Sequence, residues 1–188
     1  MKTALHAVAF AVCLLAAGIV EATTADEALA AVVMIEGSGG QCSAVVIEPG
    51  VLLTAKHCLA KSADRVVTRG NARIVRSMPA RAPNVDGARL YAPGVTCPCI
   101  ETSSWALTGD VIAIGFPRGQ LRSTTGILLG YGKFGPAFER AVVHSAAIQT
   151  GASGGALIQK QGNGYVLVAI LMGYNEAGSF AVLVEDIE

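Results

Sequence analysis

Two short segments of the chain combine residue types that could carry out acyl transfer. Residues 51–58 read Val-Leu-Leu-Thr-Ala-Lys-His-Cys, so an apolar run ends in a histidine, His57, beside a cysteine. Residues 151–155 read Gly-Ala-Ser-Gly-Gly, which sets Ser153 among glycines. Serine is a poor nucleophile at neutral pH unless a base removes its proton. Histidine is suited to that role because its pKa lies near neutrality.

The glycines around Ser153 fit a second requirement of this chemistry, which is stabilisation of the oxyanion that develops during the reaction. Backbone N–H groups aimed at one point commonly provide it. Gly151, two residues before the serine, permits the unusual backbone geometry that this needs. Taken alone, the first segment is also compatible with a structural histidine and the second with a plain glycine-rich turn. The functional interpretation therefore depends on finding both segments in one chain.

The rest of the chain predicts many short strands and little helix. Apolar runs of four to seven residues recur between residues 31 and 184, and turn residues separate them, as in Gly162-Asn163-Gly164. This spacing is typical of an antiparallel sandwich or barrel. The proline-containing residues 78–83 are predicted to cross between two halves.

Composition excludes several classes of function. The chain has 188 residues, of which 52% are hydrophobic and 15% charged, which is ample for a packed core. Lys+Arg and Asp+Glu are both 14, so net charge gives no reason to expect a polyanion or an acidic membrane as partner. The chain has no basic run interleaved with aromatic residues, so the sequence does not predict nucleic-acid binding.

Residues 1–22 have the layout of a secretory signal peptide. Met1-Lys2 is a basic start, an almost wholly apolar run follows, and Val20-Glu21-Ala22 offers a cleavage site. The run of about 16 apolar residues is short for a bilayer span of roughly 20. We therefore expect residues 23–188 to be secreted (extracellular or periplasmic), with no stable membrane association after cleavage.

The cysteines support export. Cys13 would leave with the signal peptide, and an even number would remain: Cys42, Cys58, Cys97 and Cys99. In an oxidising compartment such cysteines form disulfides by default. For Cys97-Pro98-Cys99, a small-ring disulfide, two thiols and pairing between molecules all stay open. With His144 the pair would give a three-ligand metal set, but no zinc-type spacing accompanies it, and we expect no metal or cofactor.

Both chemistry-bearing segments resemble motifs of the trypsin-like (chymotrypsin-fold) serine endopeptidases. Residues 54–58 are similar to the family's Thr-Ala-x-His-Cys, and residues 151–155 to its Gly-x-Ser-Gly-Gly. Residues 109–117 are similar to a strand common in bacterial members. The resemblance implies an all-β fold of two antiparallel six-stranded β-barrels, about residues 31–90 and 105–188, with the active site in the cleft between them.

The resemblance also implies a mechanism for hydrolysing protein or peptide substrates through an acyl-enzyme. Ser153 would be the nucleophile and His57 the general base, while Asp86 would orient the imidazole. The N–H groups of Gly151 and Ser153 would form the oxyanion hole. It further implies a disulfide between Cys42 and Cys58, with a stabilisation of about 3 kcal/mol in the chain-entropy picture.

Asp86 is our choice for the third member because residues 86–90, Asp-Gly-Ala-Arg-Leu, are similar to the family's Asp-x-Ala-x-Leu strand. Its separation from His57 along the chain is shorter than usual in the family. Asp64 competes for the role but is predicted to lie in a surface turn. Asp110 is interpreted as a turn residue before its strand.

The substrate pocket is inferred from the resemblance as well. Ala147 would form its base, with Leu171 on one wall and Gly178 on the other. No aspartate lies at the base to attract Arg or Lys, and no histidine stands at Leu171 to attract Glu. The remaining expectation is a medium-sized apolar side chain.

Two other classes of function stay open. The first is a catalytically inactive protease-fold binding protein, which would need a defective triad. The second is a thiol-redox function for Cys97 and Cys99, but no thioredoxin-like βαβ pattern accompanies them.

Overall fold

The computed structural model describes residues 23–37, 40–59, 63–68, 70–82, 84–104, 109–133, 140–176 and 178–188, without the side chains of residues 63 and 64. The predicted signal peptide lies outside the described residues. Within them are one short helix, α1 (Ala25–Ala31), and thirteen strands. In chain order the strands are β1 (Val32–Gly37), β2 (Gly40–Glu48), β3 (Val51–Ala55), β4 (Ala63–Val66), β5 (Ala72–Arg73), β6 (Arg76–Pro79), β7 (Gly87–Tyr91), β8 (Asp110–Gly115), β9 (Arg122–Gly132), β10 (Ala141–His144), β11 (Ala156–Gln161), β12 (Gly164–Asn175) and β13 (Gly178–Leu183).

The first half is a curled antiparallel sheet in the order β5-β4-β1-β2-β3-β7-β6. Strands β2 and β3 are buried on both faces, so alternate residues serve two cores. Val46 and Leu52 pack inside the sheet, whereas Val45 and Leu53 face the second half. This explains why residues 44–47 of β2 and 51–53 of β3 are continuous apolar runs rather than alternating ones.

The second half is a closed barrel in the order β10-β13-β12-β11-β8-β9. Small and branched residues fill its interior, among them Ala113, Leu157, Ala169 and Ala181, as expected for a narrow barrel closed on itself. The predicted all-β fold with two such halves is confirmed. One detail differs, because the first half has seven strands in a curled sheet, not six in a closed barrel.

The predicted crossing between the halves was wrong. Residues 76–79 form β6, an edge strand of the first sheet, and Pro79 is tolerated there because an edge strand leaves one row of N–H groups unpaired. The crossing between the halves follows β7 instead and includes residues 92–104. A shared apolar cluster joins the halves, with Leu53 from the first and Ile170 and Val182 from the second.

Both ends of the described chain return to this junction. Helix α1 buries Ala28 and Ala31 against the shared cluster. A reciprocal pair of hydrogen bonds between Thr24 and Glu27 caps its N-terminus. At the other end the Ile187 side chain fills the space beside Gly87, where any Cβ would overlap it. Among the described elements, no helix has the length and apolar character to cross a membrane.

His144 gives the fold a specific dependence on pH. It lies on β10 with none of its surface exposed, and burial lowers its pKa from 6.5 to about 4. Between these values the unfolded chain binds more protons than the native one. The free energy of unfolding should therefore fall by up to about 3 kcal/mol as pH drops from 6.5 to 4.

Urea unfolding at pH 7 and pH 4.5 would measure this loss. His144→Leu, of similar volume and without a proton to bind, should flatten the dependence between the two conditions. An unchanged slope in the variant would mean that another group causes it.

Candidate active site

The pairing of β3 with β7 brings His57 and Asp86 together. The two strands are antiparallel with Ala55 opposite Gly87, so the residue just before β7 lies beside the 3₁₀ turn Lys56–Cys58 that follows β3. Asp86 Oδ2 lies 2.5 Å from His57 Nδ1. The backbone N–H of His57 donates to Asp86 Oδ1 at 2.8 Å.

Two contacts to one carboxylate fix the orientation of the imidazole. The Asp86 side chain is 10% exposed and that of His57 45%, so the carboxylate is largely shielded while the ring reaches solvent. Because the carboxylate accepts from Nδ1, the proton of the neutral ring is held there. Nε2 is then an acceptor, as a general base requires.

The other two aspartates considered for this role, Asp64 and Asp110, lie elsewhere. Asp64 belongs to β4, not to the surface turn that we expected, because residues 63–66 extend the first sheet beside β1. Strands β1 and β2 separate β4 from β3 in the sheet order. Asp110 is exposed at the start of β8 in the second barrel.

Ser153 lies in a tight turn between residues 150 and 155 that is anchored to the first sheet. Gly151 and Gly154 have φ values of +97° and +82°, a left-handed region that glycine adopts without strain. A Cβ on Gly154 would overlap the Ser43 carbonyl oxygen and Thr54 Oγ1. The Ser43 N–H donates to the Ser153 carbonyl oxygen at 2.8 Å.

The same anchorage carries Ser153 toward His57. A disulfide joins Cys42 to Cys58, the residue after His57, across 16 positions of the chain. Cys58 Sγ lies 3.7 Å from the Ser153 carbonyl oxygen. The predicted nucleophile, which belongs to the second half, is thus packed against the turn of the first half that carries the predicted base.

Two buried hydroxyls hold this junction and were not singled out from the sequence. Ser43 Oγ donates to the Gly151 carbonyl oxygen at 2.9 Å and accepts from the Phe116 N–H at 2.9 Å. Thr54 Oγ1 donates to the Ser43 carbonyl oxygen at 2.7 Å. The available signal was a polar residue within each of two apolar runs, since such groups are buried only when they are hydrogen-bonded.

The Ser153 hydroxyl donates to the Met172 carbonyl oxygen of β12 at 2.9 Å. In this arrangement its proton points at the backbone of the second barrel and not at His57. The hydroxyl must release this hydrogen bond before His57 can accept the proton. Catalytic hydrogen bonds often form only once substrate is bound.

The turn leaves two N–H groups for a ligand. Within the described ranges, Ala152 donates to Gln149, Gly154 to Leu171 and Gly155 to Ala152. The N–H groups of Gly151 and Ser153 donate to no carbonyl in that same part of the chain. Two neighbouring unsatisfied donors of this kind suit a negatively charged oxygen.

Two of the three predicted pocket residues share one cavity. Ala147 and Leu171 line a space of about 460 Å³ behind the Ser153 turn, together with Ala152. Gly178 is not part of its lining, because it lies at the start of β13 against the His144 carbonyl oxygen. Arg118 and Arg122 also line the cavity.

In the described part of the chain, three potential metal ligands lie together near His57, but they do not suit a metal ion. Ligand atoms of Cys42, His57 and Cys58 lie within 4.8 Å of one another. The two cysteines are bonded to each other, however, and metal coordination by cysteine needs a free thiolate.

Comparison with known proteins places the chain among peptidases. A sequence profile of the trypsin-like peptidase domain matches residues 42–170. No curated protein sequence matches the chain significantly. Solved structures do, and the likeness covers most of the described fold.

One similar structure is the Rv3671c protease in its inactive form, with a TM-score of 0.67 and 23% identity over 84% of this chain and 85% of that one. The active form, from M. tuberculosis, has a TM-score of 0.67 and 19% identity over 83% and 76% of the two chains. At these identities the likeness concerns the fold. The HtrA-type protease AlgW, solved with a tripeptide, has a TM-score of 0.71 and 25% identity over 86% of this chain and 59% of AlgW.

Proposed function

Because the chain belongs to the trypsin-like peptidase domain family, we propose that it is a serine endopeptidase that acts through an acyl-enzyme on Ser153. The observation that supports this most is the contact between His57 Nδ1 and Asp86 Oδ2 at 2.5 Å. A carboxylate in this position has the chemical role of holding the imidazole as a base. The substrate class is protein or peptide.

The reaction begins with the Ser153 hydroxyl leaving the Met172 carbonyl and turning to His57. His57 Nε2 takes the proton as Ser153 Oγ attacks the scissile carbonyl, and Asp86 stabilises the charged imidazolium. The N–H groups of Gly151 and Ser153 donate to the oxyanion. His57 then protonates the leaving amine, and water repeats the sequence to release the acid.

Two further parts of the proposal concern the ligand and the place of action. Peptides as ligands are supported by the structures of AlgW with a tripeptide and with a decapeptide. Action outside the cytoplasm is supported by the signal-like residues 1–22 and by two cysteine pairs within disulfide distance.

A catalytically inactive binding protein is the second candidate, and one observation favours it. The Ser153 hydroxyl is engaged by Met172 rather than by His57. If that hydrogen bond persisted with substrate bound, the serine would have no base and would not react. The alternative therefore differs from the proposal in the reactivity of a single hydroxyl group.

Labelling with a fluorophosphonate probe separates the two candidates, since only an activated serine reacts readily with it. We expect residues 23–188, folded at pH 7.5, to be labelled on Ser153, as located by mass spectrometry. Ser153→Ala and heat-denatured protein should remain unlabelled. Absence of label on the folded wild-type chain would favour the inactive binding protein.

A further inference from the structure

The connector between the two halves carries a second disulfide, between Cys97 and Cys99. These residues are two positions apart with Cα atoms 4.5 Å apart. The proposed mechanism makes no use of them. We propose that Cys97–Cys99 is a thiol–disulfide exchange site, opened by an external thiol independently of the Cys42–Cys58 bridge and without unfolding of the protein.

The first argument is that this disulfide restrains a segment that is already held. On one side, Val95 is 1% exposed, and its carbonyl oxygen accepts from the Gly50 N–H at 2.8 Å. On the other side, Ile100 is also 1% exposed and donates to the Val46 carbonyl oxygen at 3.0 Å. Because the flanks are fixed by the first sheet, opening the ring leaves the path of the chain unchanged.

The second argument is loop size. A disulfide stabilises a fold mainly by restricting the unfolded chain, and the restriction grows with the length of the loop that it closes. Cys97 and Cys99 enclose a single residue, Pro98. Cys42 and Cys58 span 16 positions and tie the 3₁₀ turn that carries His57 to β2. Reduction of Cys42–Cys58 should therefore affect stability and the active site. Reduction of Cys97–Cys99 should affect neither.

The third argument is access, which also gives the exchange a direction. Cys97 is exposed, whereas Cys99 is half-buried against the core of the first sheet. Exchange requires a thiolate to approach a sulfur in line with the disulfide bond. Attack therefore falls on Cys97 Sγ, and Cys99 is the leaving group. Exposed disulfides are generally the labile ones in a protein.

The reaction balances with two equivalents of thiol. A thiolate RS⁻ attacks Cys97 Sγ, the Cys97–Cys99 bond breaks, and Cys99 leaves as a thiolate that takes up a proton. A second thiolate attacks the sulfur of R in the mixed disulfide, which releases RSSR and the Cys97 thiolate. The cysteine pair gains two electrons and two protons, and two RSH are oxidised. The reductant is either a low-molecular-weight monothiol or a protein dithiol.

Graded reduction with acid quenching, alkylation and peptide mass spectrometry tests the proposal on residues 23–188. One arm uses glutathione and the other a reduced thioredoxin-type dithiol protein, so that the arm that succeeds identifies the source of the thiol. We expect Cys97 and Cys99 to become alkylated at a reductant concentration about tenfold lower than Cys42 and Cys58. Simultaneous opening of both pairs, or opening of Cys97–Cys99 only in denaturant, would overturn the proposal.

Matched single variants test the direction of attack. Cys99→Ser leaves the exposed Cys97 thiol, and Cys97→Ser leaves the half-buried Cys99 thiol. With oxidised glutathione, the Cys97 thiol should form the mixed disulfide about tenfold faster. Equal rates would contradict the assigned direction.

The double variant Cys97→Ser/Cys99→Ser tests whether the bridge is structural. We expect its melting temperature and its fluorophosphonate labelling to match those of the wild type. A double variant that does not fold, or that melts well below the wild type, would show a structural bridge and overturn the exchange role. The exchange site does not depend on proteolysis, so failure of either proposal leaves the other intact.

Discussion

Ser153→Ala is expected to lower kcat for peptide hydrolysis about 10⁶-fold, the size of loss typical when the nucleophile of such a triad is removed. The fold should survive, because the change removes one hydroxyl and a single hydrogen bond to the Met172 carbonyl oxygen. KM should change little, since alanine retains the turn that flanks the cavity. A fluorogenic peptide with an apolar residue before the scissile bond gives kcat and KM, and thermal unfolding reports on the fold.

Ser77→Ala is the matched control for this experiment. Ser77 is exposed on the edge strand β6, so the same chemical change there removes a hydroxyl without touching the site. Its kcat should equal that of the wild type. Substantial hydrolysis by pure Ser153→Ala would mean that Ser153 is not the nucleophile.

The parts of the fold that could be predicted from sequence are those set by local pattern. Short apolar runs between turn residues are enough to indicate strands, because both the periodicity and the turn chemistry are local. Their number per sheet is not local. β6 (Arg76–Pro79) contains no apolar run, and it adds the edge strand that makes the first sheet seven-stranded.

The crossing between the halves shows a second limit. The prolines in residues 78–83 predict a crossing between the halves, yet Pro79 ends an edge strand. The actual connector after β7 also contains prolines, Pro93 and Pro98, while it buries Val95 and Ile100, so proline content alone does not locate the crossing. Whether a strand lies at an edge is a property of the whole sheet, and single-residue preferences do not contain it.

The same distinction between local pattern and long-range contact applies to the candidate site. The surroundings of His57 and Ser153 are sequence motifs, so each could be found from neighbouring residues. The Ser43 and Thr54 network depends on contacts between distant strands, as in the bond from Ser43 to Gly151. Arg118 and Arg122, which line the cavity behind the Ser153 turn, come from the β8–β9 connection and the start of β9. Along the chain they are distant from the residues that the resemblance assigned to the pocket.

Asp86→Asn is expected to lower kcat about 10⁴-fold while preserving the shape of the side chain. The carboxylate accepts two hydrogen bonds at once, from the His57 backbone N–H to Oδ1 at 2.8 Å and from His57 Nδ1 to Oδ2 at 2.5 Å. An amide has one oxygen. If it accepts from the backbone N–H, the NH₂ group faces Nδ1 and favours the ring tautomer protonated on Nε2.

That tautomer cannot take the proton of Ser153, because the nitrogen that should accept is already a donor. The opposite amide orientation keeps the proton on Nδ1, but it sets NH₂ against the backbone N–H, loses that bond and lacks the negative charge that stabilises the imidazolium. Asp110→Asn makes the same change at an exposed carboxylate of the second barrel, and its kcat should stay within about twofold of the wild type. Equal losses in both variants, or none in Asp86→Asn, would remove Asp86 from the mechanism. KM should be unchanged in Asp86→Asn, since Asp86 does not line the cavity, and a loss confined to kcat is the signature of a residue that acts through His57.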